Sequence, residues 1–301
     1  MKKIVVIGSL NMDIVLETPR MPQIGETIAG SNISFVPGGK GANQAYAIGK
    51  LGGDVAMIGA VGADSSGEAL LSNLQSAGVK TEGIKVIDGV PTGQAYIMVD
   101  ENGDNSIILI AGTNGKVTKE IIQNHMDIIE SCDIIVMQME IPVEVICYVK
   151  TLAKQLGKII ILDPAPAKAD FPDELWKDVD YIKPNETELG ILTHQSIDSV
   201  ESAKEGAEKM LEKGVKHVLV SLGSEGCLFV TREGTHFYPA HKVKAVDTTA
   251  AGDSFTAAFA LAISQGKSHE EAIAFGQKVA AIVVTRKGAQ TSIPTMGEIE
   301  E

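Results

Sequence analysis

The run Asp247-Thr248-Thr249-Ala250-Ala251-Gly252-Asp253-Ser254-Phe255 places a carboxylate just behind three small residues and at the head of an apolar helical pattern reaching Gln265. Small side chains at Ala250, Ala251 and Gly252 let successive backbone N–H groups converge at a helix N-terminus, where the dipole favours an anion. A phosphoryl group in transfer is such an anion, and its charge is the main thing a protein must stabilise. Asp253, in the first turn, then stands where a carboxylate can accept the proton of an attacking hydroxyl. The plainer alternative is a helix start with Asp253 facing the dipole and Ala-Ala-Gly as packing.

A second chemistry-bearing run, Pro37-Gly38-Gly39-Lys40-Gly41-Ala42-Asn43-Gln44, leads into a helical pattern through Leu51. Its glycines let backbone approach a ligand closely, and Lys40 with Asn43 suit a polyol. A glycine-rich helix cap accounts for the glycines but not for those two polar residues together. Asn11 and Asp13 lie two apart after a strand-like run. In an extended chain they point the same way and offer an amide and a carboxylate to neighbouring hydroxyls. Turn formation is the competing reading for both. Glu140 closes the strand-like IIVMQME, at the carboxyl end where sheet ligands bind, or else caps a helix before Pro142. Lys183-Pro184-Asn185-Glu186-Thr187-Glu188 and Ser221-Leu222-Gly223-Ser224-Glu225-Gly226 each leave a strand. Both suit nucleotide phosphates and Mg²⁺-bound water, and both also read as ordinary turns.

Three tempting motifs fail. Gly8-Ser9-Leu10-Asn11-Met12-Asp13 lacks the later glycines of a dinucleotide fingerprint. Gly266-Lys267-Ser268 resembles a P-loop tail, but Leu261 stands where the first glycine belongs, so a helix-ending turn is expected. His269-Glu270-Glu271 opens like a zinc-protease helix, yet Ile273 holds the second histidine's place.

The elements that must position these residues are those of an α/β chain. Short β-branched runs at Lys3–Gly8, Val55–Gly62, Asp133–Gln138, Lys158–Asp163 and His217–Gly223 predict strands buried on both faces of a parallel sheet covered by helices. Ser65 with Glu68, Asp198 with Glu201 and Ser268 with Glu271 have capping-box spacing. Ile14–Val36 and Gln94–Gly112 break the rhythm; the second reads as a hairpin around Glu101–Asn105. Together they predict a small sheet outside the main one, built by insertion and able to act as a lid that excludes water.

Composition narrows the class. A chain of 301 residues with 44% hydrophobic and 4% aromatic residues is ordinary globular material, with disorder expected only in the last few residues. A net charge of −13 opposes a nucleic-acid backbone. No stretch reads as a bilayer span, and polar Asn11 and Asp13 interrupt any signal-peptide core, so no membrane role and a cytoplasmic location are expected. Cys132, Cys147 and Cys227 are too scattered for a disulfide framework or zinc site and are expected to be buried small residues in a reducing compartment.

In their order along essentially the whole chain, GSLNMD, GET, GGKGANQ, QME, NETE, LGSEG, DTTAAGDSF and TRKGAQTS resemble the ribokinase-like (PfkB) carbohydrate kinases. The resemblance implies one three-layer α/β/α domain over residues 1–301, with a mainly parallel central sheet and a β lid from insertions at about 14–36 and 92–112. It implies ATP-dependent phosphorylation of a primary hydroxymethyl group, and GGKGANQ with TRKGAQ favours ribose, giving ribose 5-phosphate. Asn11, Asp13, Gly39, Lys40, Asn43 and Glu140 would hold the sugar, and Asp253 would be the base beside an anion hole from Ala250, Ala251 and Gly252. Asn185 and Glu188 would lie near phosphates and Mg²⁺; Ser221, Gly223, Ser224 and Gly226 would line the nucleotide groove, with Gln277 near adenine. Asp247, Thr249, Val283, Arg286, Gly288 and Ser292 match a K⁺ site built largely of backbone oxygens. A homodimer through the lid is implied. Fructose, a nucleoside or deoxyribose are the rival acceptors, and a catalytically silent sugar-binding regulator is the rival from another class.

Overall fold

Ile4-Val5-Val6-Ile7 shows how the sequence makes the sheet. Ile4 and Val6 pack on one side with Ala45 and Phe259, while Val5 and Ile7 pack on the other with Ile146 and Val149. Period-two alternation with apolar residues at every position demands a covered sheet on both faces. Each such side chain removed from water contributes ~1.5–3 kcal/mol.

The computed structural model describes residues 2–300. Along the chain run β1 (Ile4–Ile7), β2 (Asn11–Glu17), β3 (Asn32–Gly38), α1 (Lys40–Lys50), β4 (Val55–Gly62), α2 (Ser65–Ser76), β5 (Lys80–Ile87), β6 (Gly93–Val99) and β7 (Asn105–Ile110). There follow α3 (Lys119–Gln123), α4 (Met126–Ser131), β8 (Ile134–Gln138), α5 (Val143–Gln155), β9 (Ile159–Asp163), β10 (Tyr181–Ile182), α6 (Glu186–Thr193) and α7 (Val200–Glu212). The last part holds β11 (His217–Ser221), β12 (Gly226–Thr231), β13 (Thr235–Pro239), α8 (Ala251–Ser264), α9 (His269–Val283) and α10 (Met296–Glu300).

The large sheet has the order β13-β12-β11-β10-β9-β8-β1-β4-β5. From β11 to β5 every pairing is parallel, and β12 and β13 extend it antiparallel. Parallel neighbours need crossovers, which the helices supply, and this places all the carboxyl ends on one edge. The predicted α/β class with a small second sheet is what forms: β3-β2-β6-β7 stand apart as four strands, with β6 and β7 joined as the expected hairpin.

Local corrections concern caps and cysteines. Asp64, not Ser65, caps α2 by accepting from the Gly67 N–H, and the box at α7 is Ser199 with Ser202, one residue on from the predicted pair. Ser268 with Glu271 caps α9 as expected. Cys132 and Cys227 are buried, but Cys147 is only half-buried on α5. The chain's tail is helical in α10, and Glu301 lies outside the described residues. No helix among the described residues is long and apolar enough to cross a membrane.

Candidate active site

The site begins with a close approach. Gly39 caps α1 with φ +88°, and a Cβ there would sit 2.7 Å from the Asn11 nitrogen; one on Gly41 would sit 2.6 Å from that of Ser9. Only glycine permits this contact, which seats α1 on the turn between β1 and β2. The Ala42 N–H donates to Ser9 O at 2.9 Å and fixes the register. Asn43 and Gln44, in the first turns of α1, are thereby buried against α8.

Asp253 is 6% exposed, and both carboxylate oxygens are engaged. Asn43 Nδ2 donates to Oδ2 at 2.9 Å and Gln44 Nε2 to Oδ1 at 3.0 Å. Gln44 Nε2 also donates to Asp163 Oδ2 at 2.8 Å, and Gln44 Oε1 accepts from Gln138 Nε2 at 2.6 Å. Gln290 Nε2 donates to Asn43 Oδ1 at 3.0 Å. One amide thus bridges two carboxylates, and each amide is held by another, which fixes Asp253 in one orientation. Ala250 takes a left-handed φ of +60° to start α8. The Ala251 N–H is engaged by Thr248 O at 3.2 Å, whereas no acceptor among the described residues meets the Gly252 and Asp253 N–H groups.

On the lid side, Asn11 and Asp13 lie on β2, pairing with β3 and β6, two apart on one face. Asn11 Oδ1 accepts from Asn114 Nδ2 at 2.7 Å, and Asn114 also bonds both backbone groups of Leu10. The Asp13 carboxylate lies against the Gly38 Cα and has no hydrogen-bond donor among the described residues. Burial first, then the charges of Glu140 and Asp253, push its pKa up to about 7. Glu140 caps nothing at α5, whose N-cap is Pro142. Its Oε2 accepts from Ser9 Oγ and from the Lys40 N–H at 3.1 Å. Burial works against the Lys40 ammonium, but Asp253, Asp163, Glu140 and Glu188 outweigh it and hold it charged above the ordinary lysine range.

Asn185 and Glu188 cap α6 reciprocally: Asn185 Oδ1 accepts from the Glu188 N–H at 2.7 Å, and Glu188 Oε2 accepts from the Asn185 N–H at 2.9 Å. This local use leaves Glu188 Oε1 for the cleft, where the charge reaches Lys40 and Asp163. A single free carboxylate oxygen beside a phosphate site fits Mg²⁺, which takes one or two protein carboxylates and fills its shell with phosphate and water. Ser221 bridges to Asn185 beside it. Gly223 and Ser224 form a 3₁₀ turn, and the space above Gly223 is open. Gly226 has φ +132°, and a Cβ would strike Tyr238 O at 2.0 Å, so only glycine closes this turn. Gln277 donates to Tyr238 O at 2.9 Å, which sets it beside the same hairpin.

Of the residues expected around a monovalent cation, Asp247, Thr249 and Gly288 are joined directly. Asp247 Oδ1 accepts from Thr249 N–H at 2.9 Å and Oγ1 at 2.6 Å, and Oδ2 accepts from the Gly288 N–H at 2.9 Å. Burial raises this carboxyl's pKa, but these hydrogen bonds outweigh it and keep the group below the usual range. Val283 ends α9, Arg286 Nη1 reaches Ser292 O at 3.5 Å, and Ser292 Oγ donates to Ala289 O at 2.6 Å. An ionised carboxylate is the kind of oxygen ligand that fits K⁺.

Five members of the site are given no role by sequence reasoning: Gln44, Gln138, Asp163, Lys183 and Gln290. All but Asp163 stand inside noted motifs. Asp163 ends β9 and is 2% exposed, with Oδ1 unpaired. Burial raises its pKa to about 6, and Lys183 and then Lys40 pull it back. For Asp163, the available signal is a strand ending in aspartate.

A model of the pfkB family of carbohydrate kinases matches residues 1–296. The chain belongs to that family. It is 40% identical over 301 residues to a ribokinase of Haemophilus influenzae, covering 100% of this chain and 98% of that one. A deoxyribokinase of Salmonella typhi is 35% identical, covering 99% and 97%. The structure of Arabidopsis thaliana ribokinase complexed with ribose and ATP superimposes with a TM-score of 0.94 at 35% identity, over 99% of this chain and 97% of that one. As a pfkB carbohydrate kinase, the chain is a sugar kinase.

Proposed function

We propose that the chain transfers the γ-phosphoryl group of ATP to the 5-hydroxyl of D-ribose, releasing ADP and ribose 5-phosphate. The observation that carries this reading is Asp253: a buried carboxylate fixed by two amides at a helix N-terminus whose Gly252 and Asp253 N–H groups have no acceptor. Asp253 takes the hydroxyl proton as that oxygen attacks phosphorus, and the bridging oxygen leaves on ADP. The free N–H groups of α8 stabilise the phosphoryl charge. Asp13, which lacks a donor of its own, accepts from sugar hydroxyls together with Glu140, the Lys40 ammonium donates to them, and Asn11 and Asn43 line the same site. Asn185 and Glu188 would hold Mg²⁺ and the 247–249 and 283–292 segments K⁺; bound there, they supply charge to phosphate and to the loop before α8.

The domain reads as one unit over 1–301 with the β2–β3 and β6–β7 lid. The lid leaves Phe35 63%, Ile108 57% and Ile110 45% exposed, and the pairing of Phe35 with Ile14, Ile14 with Tyr96 and Tyr96 with Ile108 puts them on one apolar sheet face that supports pairing with a second copy. Turnover is tested against ribose, deoxyribose, fructose, adenosine and no sugar, with and without K⁺, for the wild type and Asp253→Asn. Ribose-dependent turnover that falls ~10²–10⁴-fold in the variant supports the reading. Preference for another acceptor reassigns the substrate, and an unaffected variant removes Asp253 from its role.

A further inference from the structure

We propose that Lys183 is a catalytic residue of this site, an ammonium that grips the phosphoryl group as it crosses the N-terminus of α8. The inference rests on the proposed kinase reaction and adds a group to it. Lys183 directly follows β10, and its N–H is fixed to Leu162 O at 3.3 Å. It is 6% exposed, and its Nζ lies 3.2 Å from where a Cβ on Gly252 would be. The ammonium therefore sits on the second residue of α8.

That position is electrostatically adverse in the protein alone. The N-terminus of a helix carries about half a positive charge, which repels an ammonium, and burying the ammonium adds a desolvation cost. Among the described residues no oxygen accepts from Lys183 Nζ, and no carboxylate pairs with it within the reach of an ion pair. Asp163 is the nearest candidate for relief and feels the Lys183 charge, yet its Oδ2 is spent on Gln44 and its Oδ1 has no partner. Lys40 is in the opposite situation, with the charges of four carboxylates, Asp253, Asp163, Glu140 and Glu188, acting on it.

Three positive elements thus converge without an anion: the Lys183 ammonium, the Gly252 N–H and the Asp253 N–H. A dianionic phosphoryl group satisfies all three, and its charge spreads over equatorial oxygens as transfer proceeds. In the step, the hydroxyl oxygen forms its bond to phosphorus, the bond to the ADP oxygen breaks, the electron pair leaves with ADP, and the proton passes to Asp253. Lys183 only donates hydrogen bonds and keeps its protons.

The test compares the wild type, Lys183→Met, Lys183→Arg and the double variant Asp163→Asn/Lys183→Met in Mg²⁺ buffer. Turnover, ribose binding by calorimetry, ADP–tetrafluoroaluminate binding and thermal stability are measured on each. Lys183→Met is expected to lose about 10²–10³-fold in kcat, the effect of removing one such donor, with ribose affinity within about threefold. Its affinity for ADP–tetrafluoroaluminate falls in parallel, and Lys183→Arg restores part of both. Lys183→Met, which removes an unpaired buried charge, keeps or gains thermal stability, and the double variant does not recover turnover. A Lys183→Met variant that loses stability, with stability and turnover both recovered in the double variant, overturns the proposal, because Lys183 would then only balance Asp163; so does Lys183→Met turnover within about fivefold of the wild type. A wild type inactive on every sugar overturns the proposed reaction instead, and an unchanged tetrafluoroaluminate affinity in Lys183→Met then overturns the role of Lys183 separately.

Discussion

Asp13→Asn should strengthen the fold at neutral pH while weakening the site. The Asp13 carboxyl has its pKa raised from an ordinary 3.8 to about 7, by burial first and then by Glu140 and Asp253. Between those values the folded protein holds a proton that the unfolded chain has released, so stability falls as pH rises through the window. A gap of about 3 pH units corresponds to ~4 kcal/mol, a ceiling reached only above pH 7. Asparagine does not titrate. The variant should match the wild type near pH 4 and exceed it by as much as ~4 kcal/mol at pH 8, in urea unfolding at both pH values. Sugar affinity should move the other way: each hydrogen bond to a charged acceptor is worth ~1.5–3 kcal/mol, or roughly 10–150-fold in Kd by calorimetry. Parallel stability curves for the two proteins between pH 4 and pH 8 would refute the burial of an unpaired charge at Asp13.

Two other perturbations follow from the geometry. Gln44→Met keeps the side chain's length but removes the donor shared by Asp253 and Asp163 and the acceptor of Gln138, so a loss of ~3–6 kcal/mol in unfolding free energy and a drop in kcat larger than any change in the ribose KM are expected; a stability loss under 1 kcal/mol would show the bridge to be incidental. If the exposed lid face pairs two copies as proposed, Ile108→Glu with Phe35→Lys should convert a dimer to a monomer by light scattering, and a dimeric variant would move the interface elsewhere.

Much of this was legible in the residues. The β-branched runs carry their own period, so the parallel sheet could be read locally, and so could the hairpin around Glu101–Asn105. Asn11 and Asp13 were readable as a pair because an extended strand fixes their common direction. The caps were misjudged by one residue at α2 and α7, where Asp64 and Ser199 compete with neighbours of equal capping ability and only the packed backbone decides. The Gln44–Asp163–Gln138 bridge was invisible for a different reason. Its members lie on α1, β9 and β8, dozens of residues apart, and a lone glutamine or a strand-ending aspartate carries no sign of its partner.

The division of labour between the two sheets has a mechanical consequence. Asp253, Asn43, Gln44 and Asp163 are anchored to α8, α1 and β9, all packed into the main core, and their side-chain hydrogen bonds run among themselves and to Gln138 and Gln290. Asp13 belongs to the lid: it pairs with Val36 and Ala95, while Asn11 at the base of the same strand is pinned to Asn114. A rotation of the lid sheet about that base would carry Asp13 and leave Asp253 where it is. On the proposed reaction, the sugar acceptor with no donor of its own would be the one that moves with the lid, and the carboxylate aimed at the phosphoryl group the one that stays. Hydroxyls donating to Asp13 would relieve its unpaired charge and draw the lid over the cleft, so sugar binding and exclusion of water are driven by the same contact.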